Sequence, residues 1–383
     1  MPSEQRRELA ITFGGARNLS HPKRIFIVGV VGIPNTYGGF EALAENLAKD
    51  FSDHGIPLTV FCEKDFTVVP LSLPNVEVER IDLNANGAQS VLYDFLGLIK
   101  AARRNGDVLL LGTAGTVFLP FIRILWPHCR VTVNIAGLEW KREKWGRLAK
   151  AFLRLSEWTA VKFAHALVTD NQGLSDYLQS VYSSSSVMIP YGGDQYNDLA
   201  DDPDVLRIVG VEPGAYDFAL ARAQPDNNLE MTLRAYAESG RNLVFVSNWA
   251  SSTFGVDLRE RYSSVPNLHL IGPFYEPERI QTLRKHARFY IHGHSAGGTN
   301  PTLVESMHSK LPILAFDVVF NRYTTAGLGR FFASAAELNE QVTRLERENF
   351  DEIGAQLKLI ADKDYTWARV SASYRRLLCG SQV

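Results

Sequence analysis

Short hydrophobic runs recur along the chain, each broken by glycine, proline or polar residues and then followed by a stretch with apolar positions three and four apart. The first run, RIFIVGVV at 24–31, is apolar almost throughout, which suits a strand covered on both faces of a parallel sheet. A glycine-rich loop, GIPNTYGG, comes next, and then FEALAENLAKDF, where Phe40, Leu43, Leu47 and Phe51 share one helical face. The alternation continues. PLTVFC (57–62), VEVERI (76–81), DVLLLG (107–112) and RVTVNI (130–135) read as strands, SVLYDFLGLIKAARR (90–104) and EKWGRLAKAFLRLSEWTAVKFA (143–164) as helices. ALVTD (166–170) and SVMIP (186–190) close a first half.

A second round follows YGGDQYNDLADDPDV (191–205), whose acidic, proline-containing part from Asp194 to Val205 suits a linker. Strands are expected at YDFALA (216–221), NLVFVSN (242–248), NLHLIG (267–272), RFYIHG (288–293) and PILAF (312–316). Helices are expected at NLEMTLRAYAES (228–239), PERIQTLRKHA (277–287) and YTWARVSASYRRLL (365–378). Strands alternating with helices of this length imply βαβ crossovers and parallel sheets. The pattern predicts a flexible lead at 1–20, a Rossmann-like domain at 21–192, a second at 193–363, and a terminal helix at 364–383 packing back on the first. Ligands of open parallel sheets bind beyond the carboxyl ends of the strands, so the chemistry is expected in a cleft between the halves.

A length of 383 residues exceeds one ordinary core and fits two domains. A net charge of −2 argues against bulk nucleic-acid binding, which demands a basic surface. Cys62, Cys129 and Cys379 lie far apart with no CxxC pair, so neither a zinc site nor a disulfide framework is suggested, and a reducing cytoplasm fits. The N-terminus shows no signal-peptide pattern, and the longest apolar run, VFLPFIRILW at 117–126, is too short to span a bilayer and carries Arg123.

The densest candidate chemistry is HGHSAGGTNPTLVESMHSK, 292–310. Gly297 and Gly298 let the backbone turn tightly, Asn300 suits a helix cap, and Pro301 suits the first turn. A helix N-terminus of this kind holds anions such as a diphosphate, and Glu305, one turn further in, can accept two ribose hydroxyls. A capped helix with a solvated Glu305 is the plain alternative. His292, His294 and Tyr37 can each touch a sugar or phosphate, or pin their own loops. From Trp140 to Lys162 basic and apolar side chains interleave, a pattern shared by helices lying on anionic bilayers and by core helices with a basic outer face.

GIPNTYGGFEALAENLA (32–48), NIAGLEWKREKW (134–145), ARAQPDNNLEM (221–231), the segment 270–307 and FDVVFNRYTTAG (316–327) resemble the rhamnosyltransferase-type branch of glycosyltransferase family 4. The resemblance runs from about residue 24 to about residue 375. It implies the α/β GT-B fold: two facing Rossmann-like, doubly wound parallel-sheet domains with an interdomain cleft. It further implies a nucleotide-sugar donor in the second domain, a glycan acceptor in the first, retention of anomeric configuration, and no cofactor or metal. The branch looks like enzymes that build bacterial capsule or lipopolysaccharide from dTDP-rhamnose. A cytoplasmic enzyme fits such work; an acceptor on a polyprenyl diphosphate carrier would go with the membrane-lying reading of 140–162, peripheral on the inner membrane, and the core-helix reading stays open beside it.

Residue by residue, Glu305 matches the family's ribose-binding glutamate, while the companion glutamate eight positions earlier is Gly297, leaving sugar recognition to Thr299, Asn300 and their backbone. Arg222 matches the arginine that neutralises the departing diphosphate, and the partner lysine position is Asn227. Gly38 and Gly39 match the glycines that approach the donor phosphates from across the cleft. In NIAGLEW the branch leads one to expect an aspartate where Ala136 stands, as a natural variant, a weakened enzyme or an engineered inactive form. Glu139 remains nearby, as a candidate general base or as a partner of Lys141 or Arg142. No GxGxxG fingerprint occurs, which disfavours a nicotinamide enzyme. Two competing functions stand beside transfer: a sugar-nucleotide epimerase of the same fold, and a non-catalytic sugar-nucleotide-binding protein.

Overall fold

The structure, a computed structural model, describes residues 23–35, 38–67, 72–142, 145–274, 276–346 and 350–380. The expected lead at 1–20, Tyr37 and Lys144 fall outside these residues.

Seven strands form the first sheet: β1 (Ile25–Val28), β2 (Leu58–Cys62), β3 (Val76–Arg80), β4 (Asp107–Leu111), β5 (Val131–Ile135), β6 (Ala166–Thr169) and β7 (Val187–Met188). Their spatial order is β3-β2-β1-β4-β5-β6-β7, and every pairing is parallel. Six strands form the second: β8 (Asp217–Leu220), β9 (Leu243–Val246), β10 (Leu268–Ile271), β11 (Tyr290–His292), β12 (Ile313–Phe316) and β13 (Arg330–Phe332). Their order is β10-β9-β8-β11-β12-β13, again all parallel. The molecule is therefore two Rossmann-like α/β halves, as the alternating pattern leads one to expect, in the GT-B architecture that the resemblance implies.

Alternation along each strand divides the interior into layers. Phe26 and Val28 of β1 join the apolar cluster on one face of the first sheet, Ile25 and Ile27 the cluster on the other. In β9, Val244 and Val246 face one side, Leu243 and Phe245 the other. Each fully buried side chain of this size is worth roughly 1.5–3 kcal/mol, so a continuous apolar run is the stable composition for a strand covered on both faces.

The terminal helix, Trp367–Cys379, lies against helix Gly39–Asp53. Trp367, Val370 and Tyr374 complete the cluster built on Leu43, Leu47 and Phe51. Asn134 of β5 donates to the Tyr374 hydroxyl at 2.6 Å, fixing the helix to the sheet. The chain thus passes between the halves twice, and at that crossing Gly193 N–H donates to the Tyr365 carbonyl at 2.9 Å. The acidic segment after Asp194 is tied down as well: Asp201 engages Lys285 and His286, and Asp202 engages Arg279.

Several elements go beyond the pattern reading. The run at 117–126 forms a 3-10 turn, Ala114–Phe118, and then a short helix, Leu119–Leu125, with Pro120 in its first turn. Helices Gln172–Tyr182, Thr253–Tyr262, Ala335–Leu345 and Phe350–Asp364 and the edge strand β13 complete the layers. Among the described residues no helix is long and apolar enough to cross a membrane.

Candidate functional site

In the first sheet β1 lies between β2 and β4, and in the second β8 lies between β9 and β11. Each is a point where strand order reverses, so the loops leaving β1 and β4, or β8 and β11, diverge and open a crevice at the carboxyl edge. Gly38 and Gly39 end the loop after β1, Arg222 lies on the loop after β8, and 293–300 is the loop after β11. The residues singled out in the sequence therefore gather at the facing carboxyl edges.

The edges touch. A Cβ added to Gly39 would stand 3.3 Å from the Pro301 ring, so the N-terminus of helix Gly39–Asp53 faces that of helix Pro301–His308. A Cβ on Gly137, which sits at φ +147°, would stand 3.2 Å from Gly297 Cα. Two positive dipole ends thus converge on one place. Arg222 is exposed at this edge, and its charge lowers the proton affinity of both Glu41 and His294. Asn227 folds back, donating from Nδ2 to the Arg222 carbonyl at 2.8 Å, so its side chain shapes the Arg222 loop.

His292 and His294 project from one side of the β11 end, and their rings stack at 4.3 Å with 13° between planes. Burial pushes His292 well below its ordinary value, with His294 adding to the effect. Burial also brings His294 down to about 3, Arg222 and Arg142 adding to it and Asp226 opposing. Both imidazoles are thereby held neutral at physiological pH, so that they offer hydrogen-bonding nitrogens and not cations. His292 Nε2 and His294 Nδ1 are buried without a protein partner.

Sequence reasoning overlooked Asp170, which follows β6 and is 2% exposed. The Thr299 N–H hydrogen-bonds its carboxyl, and Thr299 Oγ1 donates to its main-chain carbonyl at 2.5 Å. Oδ1 has no partner. It lies where only a glycine fits opposite, since a Cβ on Gly298 would come within 1.7 Å of it. Burial pushes this carboxyl up to about 8, against the lowering effect of the Thr299 amide. A polar residue ending an apolar strand, as in ALVTD, was the available signal. Next to it, Asn171 caps helix Gln172–Tyr182 and donates from Nδ2 to Thr299, Phe320 and Thr324, stitching the halves together. Glu41 was also overlooked. It is 4% exposed, accepts the Val31 N–H at 2.9 Å, and is raised chiefly by burial.

Glu305 lies inside helix Pro301–His308, 8% exposed. Arg284 Nη2 bonds one oxygen at 2.6 Å and Gln195 Nε2 the other at 2.8 Å, so this carboxylate is not the solvated one of the plain alternative. Burial raises it while Arg284 pulls it down. Gln195 in turn accepts from Trp367 Nε1 at 2.7 Å, linking the Glu305 pocket to the chain crossing. Asn300 holds the N-cap position, but its side chain makes no capping bond; the Leu303 and Val304 amides turn onto its carbonyl instead.

The loop after β5 carries Ala136, partly buried, and Glu139. Arg142 bridges Glu139 at 3.1 Å in its own half to Asp226 at 2.9 Å in the other, and Trp145 Nε1 donates to Glu139 at 3.2 Å. Of the two roles open to Glu139, these contacts describe the ion-pair partner of Arg142. Lys141 lies over the rings of Trp140 and Tyr177. Among the described residues no group of three or more His, Cys, Asp or Glu is arranged to hold a metal.

A family model described as a domain of unknown function, DUF1972, matches residues 22–194. Among curated proteins none matches the sequence. Solved structures match across nearly the whole chain at low identity. A sucrose-phosphate synthase from Thermosynechococcus elongatus is 14% identical, with 94% of this chain and 100% of that one covered and a TM-score of 0.79. Anabaena HepE in complex with UDP-glucose is 14% identical, with 94% and 99% covered and a TM-score of 0.72. An E. coli trehalose-6-phosphate protein bound with UDP-2-fluoro glucose is 9% identical, with 94% and 99% covered and a TM-score of 0.67. At such identities the likeness establishes the fold.

Proposed function

We propose that the chain is a glycosyltransferase that takes L-rhamnose from dTDP-rhamnose and passes it, with retention and without a metal ion, to a bacterial surface glycan held on a polyprenyl diphosphate carrier. The observation that carries this reading is the meeting of two helix N-termini, at Gly39 and Pro301, beside the exposed Arg222. Aligned amides and a guanidinium suit a pyrophosphate, and the structural neighbours crystallised with UDP-sugars share the fold.

In the proposed reaction the bond between the sugar C1 and the diphosphate oxygen breaks, and its electron pair leaves with the diphosphate. Arg222 and the amides of Gly298 and Thr299 stabilise that charge, an effect commonly worth several kcal/mol. The acceptor oxygen bonds C1 on the same face, and its proton passes to the leaving phosphate. Neutral His294 and Asn300 orient sugar hydroxyls, and Glu305, fixed by Arg284 and Gln195, receives the ribose. Asp170 now holds the Thr299 amide, so the donor phosphate takes that amide by displacing a neutral carboxyl.

A second reading, a non-catalytic sugar-nucleotide-binding protein, is favoured by Ala136 and by Asn227, a neutral side chain spent on the Arg222 carbonyl where the family leads one to expect a lysine. Thermal stabilisation by dTDP, UDP and GDP tests the donor site, because a ligand selective for the native state raises its stability by mass action. dTDP should raise the melting temperature of the natural protein and much less that of Arg222→Ala. No shift with any nucleotide refutes the site. Glycan product from Ala136→Asp but not from the chain as it stands separates a weakened enzyme from a binding protein, and donor consumption without acceptor marks an epimerase.

A further inference from the structure

Helix Arg147–Phe163 exposes an apolar stripe. Leu148, Ala151, Leu155 and Trp158 recur three and four residues apart, and all are exposed, Leu148 at 89%. Helix Leu119–Leu125 packs beside it and adds Phe121, Ile124 and Leu125, with Ile124 78% exposed. Arg123 ties the two helices, donating to the Phe163 carbonyl at 3.2 Å. So many large side chains left in water on adjoining helices mark a surface with a partner.

The charges say which partner. Arg147, Arg154 and Lys162 are exposed on helix Arg147–Phe163, and Arg123 on its neighbour. Glu157, the single acidic residue of the two helices, is 2% exposed and takes hydrogen bonds from Trp140, Tyr177 and Tyr182. The face is thus apolar and purely cationic on a chain whose net charge is −2. A second copy of the same face would meet it with like charge. An anionic lipid surface would meet it with opposite charge and accept the apolar stripe into its headgroup boundary.

We propose that the face formed by helices Leu119–Leu125 and Arg147–Phe163 docks on the surface of an anionic bilayer. Helix Arg147–Phe163 begins just after the loop that carries Gly137, which touches Gly297, so its Leu148 end lies on the cleft side of the first half. Docking there holds the acceptor-side edge of the cleft near the lipid. The surface stands on its own residues, independent of the donor reading, and vesicle binding and nucleotide stabilisation fail or succeed separately.

The test is co-sedimentation of the full chain with phosphatidylcholine vesicles and with vesicles containing phosphatidylglycerol, at low and high salt. Binding should require phosphatidylglycerol and weaken with salt. Each arginine neutralised should cost about fivefold in partitioning. The pair Arg147→Gln and Arg154→Gln should therefore lose about 25-fold, and Leu148→Ser with Leu155→Ser should lose binding altogether. All four residues are exposed, and an unchanged melting temperature verifies that each variant folds. Equal binding to both vesicle types, no binding to either, or binding indifferent to these substitutions overturns the proposal. So does a concentration-dependent dimer in sedimentation velocity that the leucine substitutions dissolve.

Discussion

Replacing Asp170 with asparagine tests the cleft electrostatics directly. The carboxyl is 2% exposed, meets the Thr299 amide on one side and leaves Oδ1 without a partner. The titratable groups coupled to it are Tyr191 and Tyr374, both raised far above the ordinary phenol range by burial and therefore neutral. In the unfolded chain an aspartate titrates near 4; in the folded protein Asp170 is pushed up to about 8. Between those values the native state keeps a proton that the unfolded state has released. Its contribution is therefore fully present below pH 4, declines as pH rises to 8, and is constant beyond. Four pKa units correspond to a ceiling of roughly 5 kcal/mol. Separation of the halves rehydrates the group, so the realised loss is the smaller of that figure and the cost of opening. Asparagine keeps the shape and stays neutral. Urea unfolding of both proteins at pH 5, 7 and 9, followed by tryptophan fluorescence, should show asparagine gaining on aspartate by about 2–4 kcal/mol across the series. Taking the difference between the two proteins cancels the remaining titrations. Small-angle scattering should show the natural chain expanding at pH 9 while the variant stays closed. A difference that is flat with pH refutes the burial of a neutral carboxyl between the halves.

Arg284→Met removes the buried partner of Glu305 and should cost about 3–5 kcal/mol in the denaturation midpoint, partly recovered by adding Glu305→Gln. Gly298→Ala drives a methyl into Asp170 and should cost about 1–3 kcal/mol, with Asp170→Gly in the same chain restoring most of it. Tyr374→Phe removes the acceptor of Asn134 and should lower stability by about 1 kcal/mol, read from the same midpoint.

The architecture was legible because β1, β2, β4 and β5 are buried almost throughout and, Thr59, Asp107, Thr132 and Asn134 aside, apolar, leaving period and composition in agreement. Helix Gln172–Tyr182 was hidden because it buries only Gly173, Leu174 and Leu178 among polar neighbours. At the site, glycines and a proline announced the turn before Pro301, since backbone geometry is written locally. The partners of Glu305 and Thr299 were not visible. Arg284, Gln195 and Asp170 come from other helices, the chain crossing and the opposite half, and no local spacing encodes a contact across 129 residues. Asn300 shows the limit of a residue-type rule: it has the cap position without the cap bond.

The placement of Trp367–Cys379 bears on how the molecule is made. Synthesis delivers the first sheet and helix Gly39–Asp53 early, and the helix that packs with Leu43, Leu47 and Phe51 in one apolar cluster only after the second sheet. Until Trp367–Cys379 has emerged that cluster is incomplete, while strands β8 to β13 of the second sheet have already been made. Maturation therefore runs against chain order, with the earlier-made lobe sealed last, and a premature stop before residue 365 strands it unsealed. That lobe is where chaperones should bind nascent chains, and a fragment cut at the linker would carry the same uncovered face into solution.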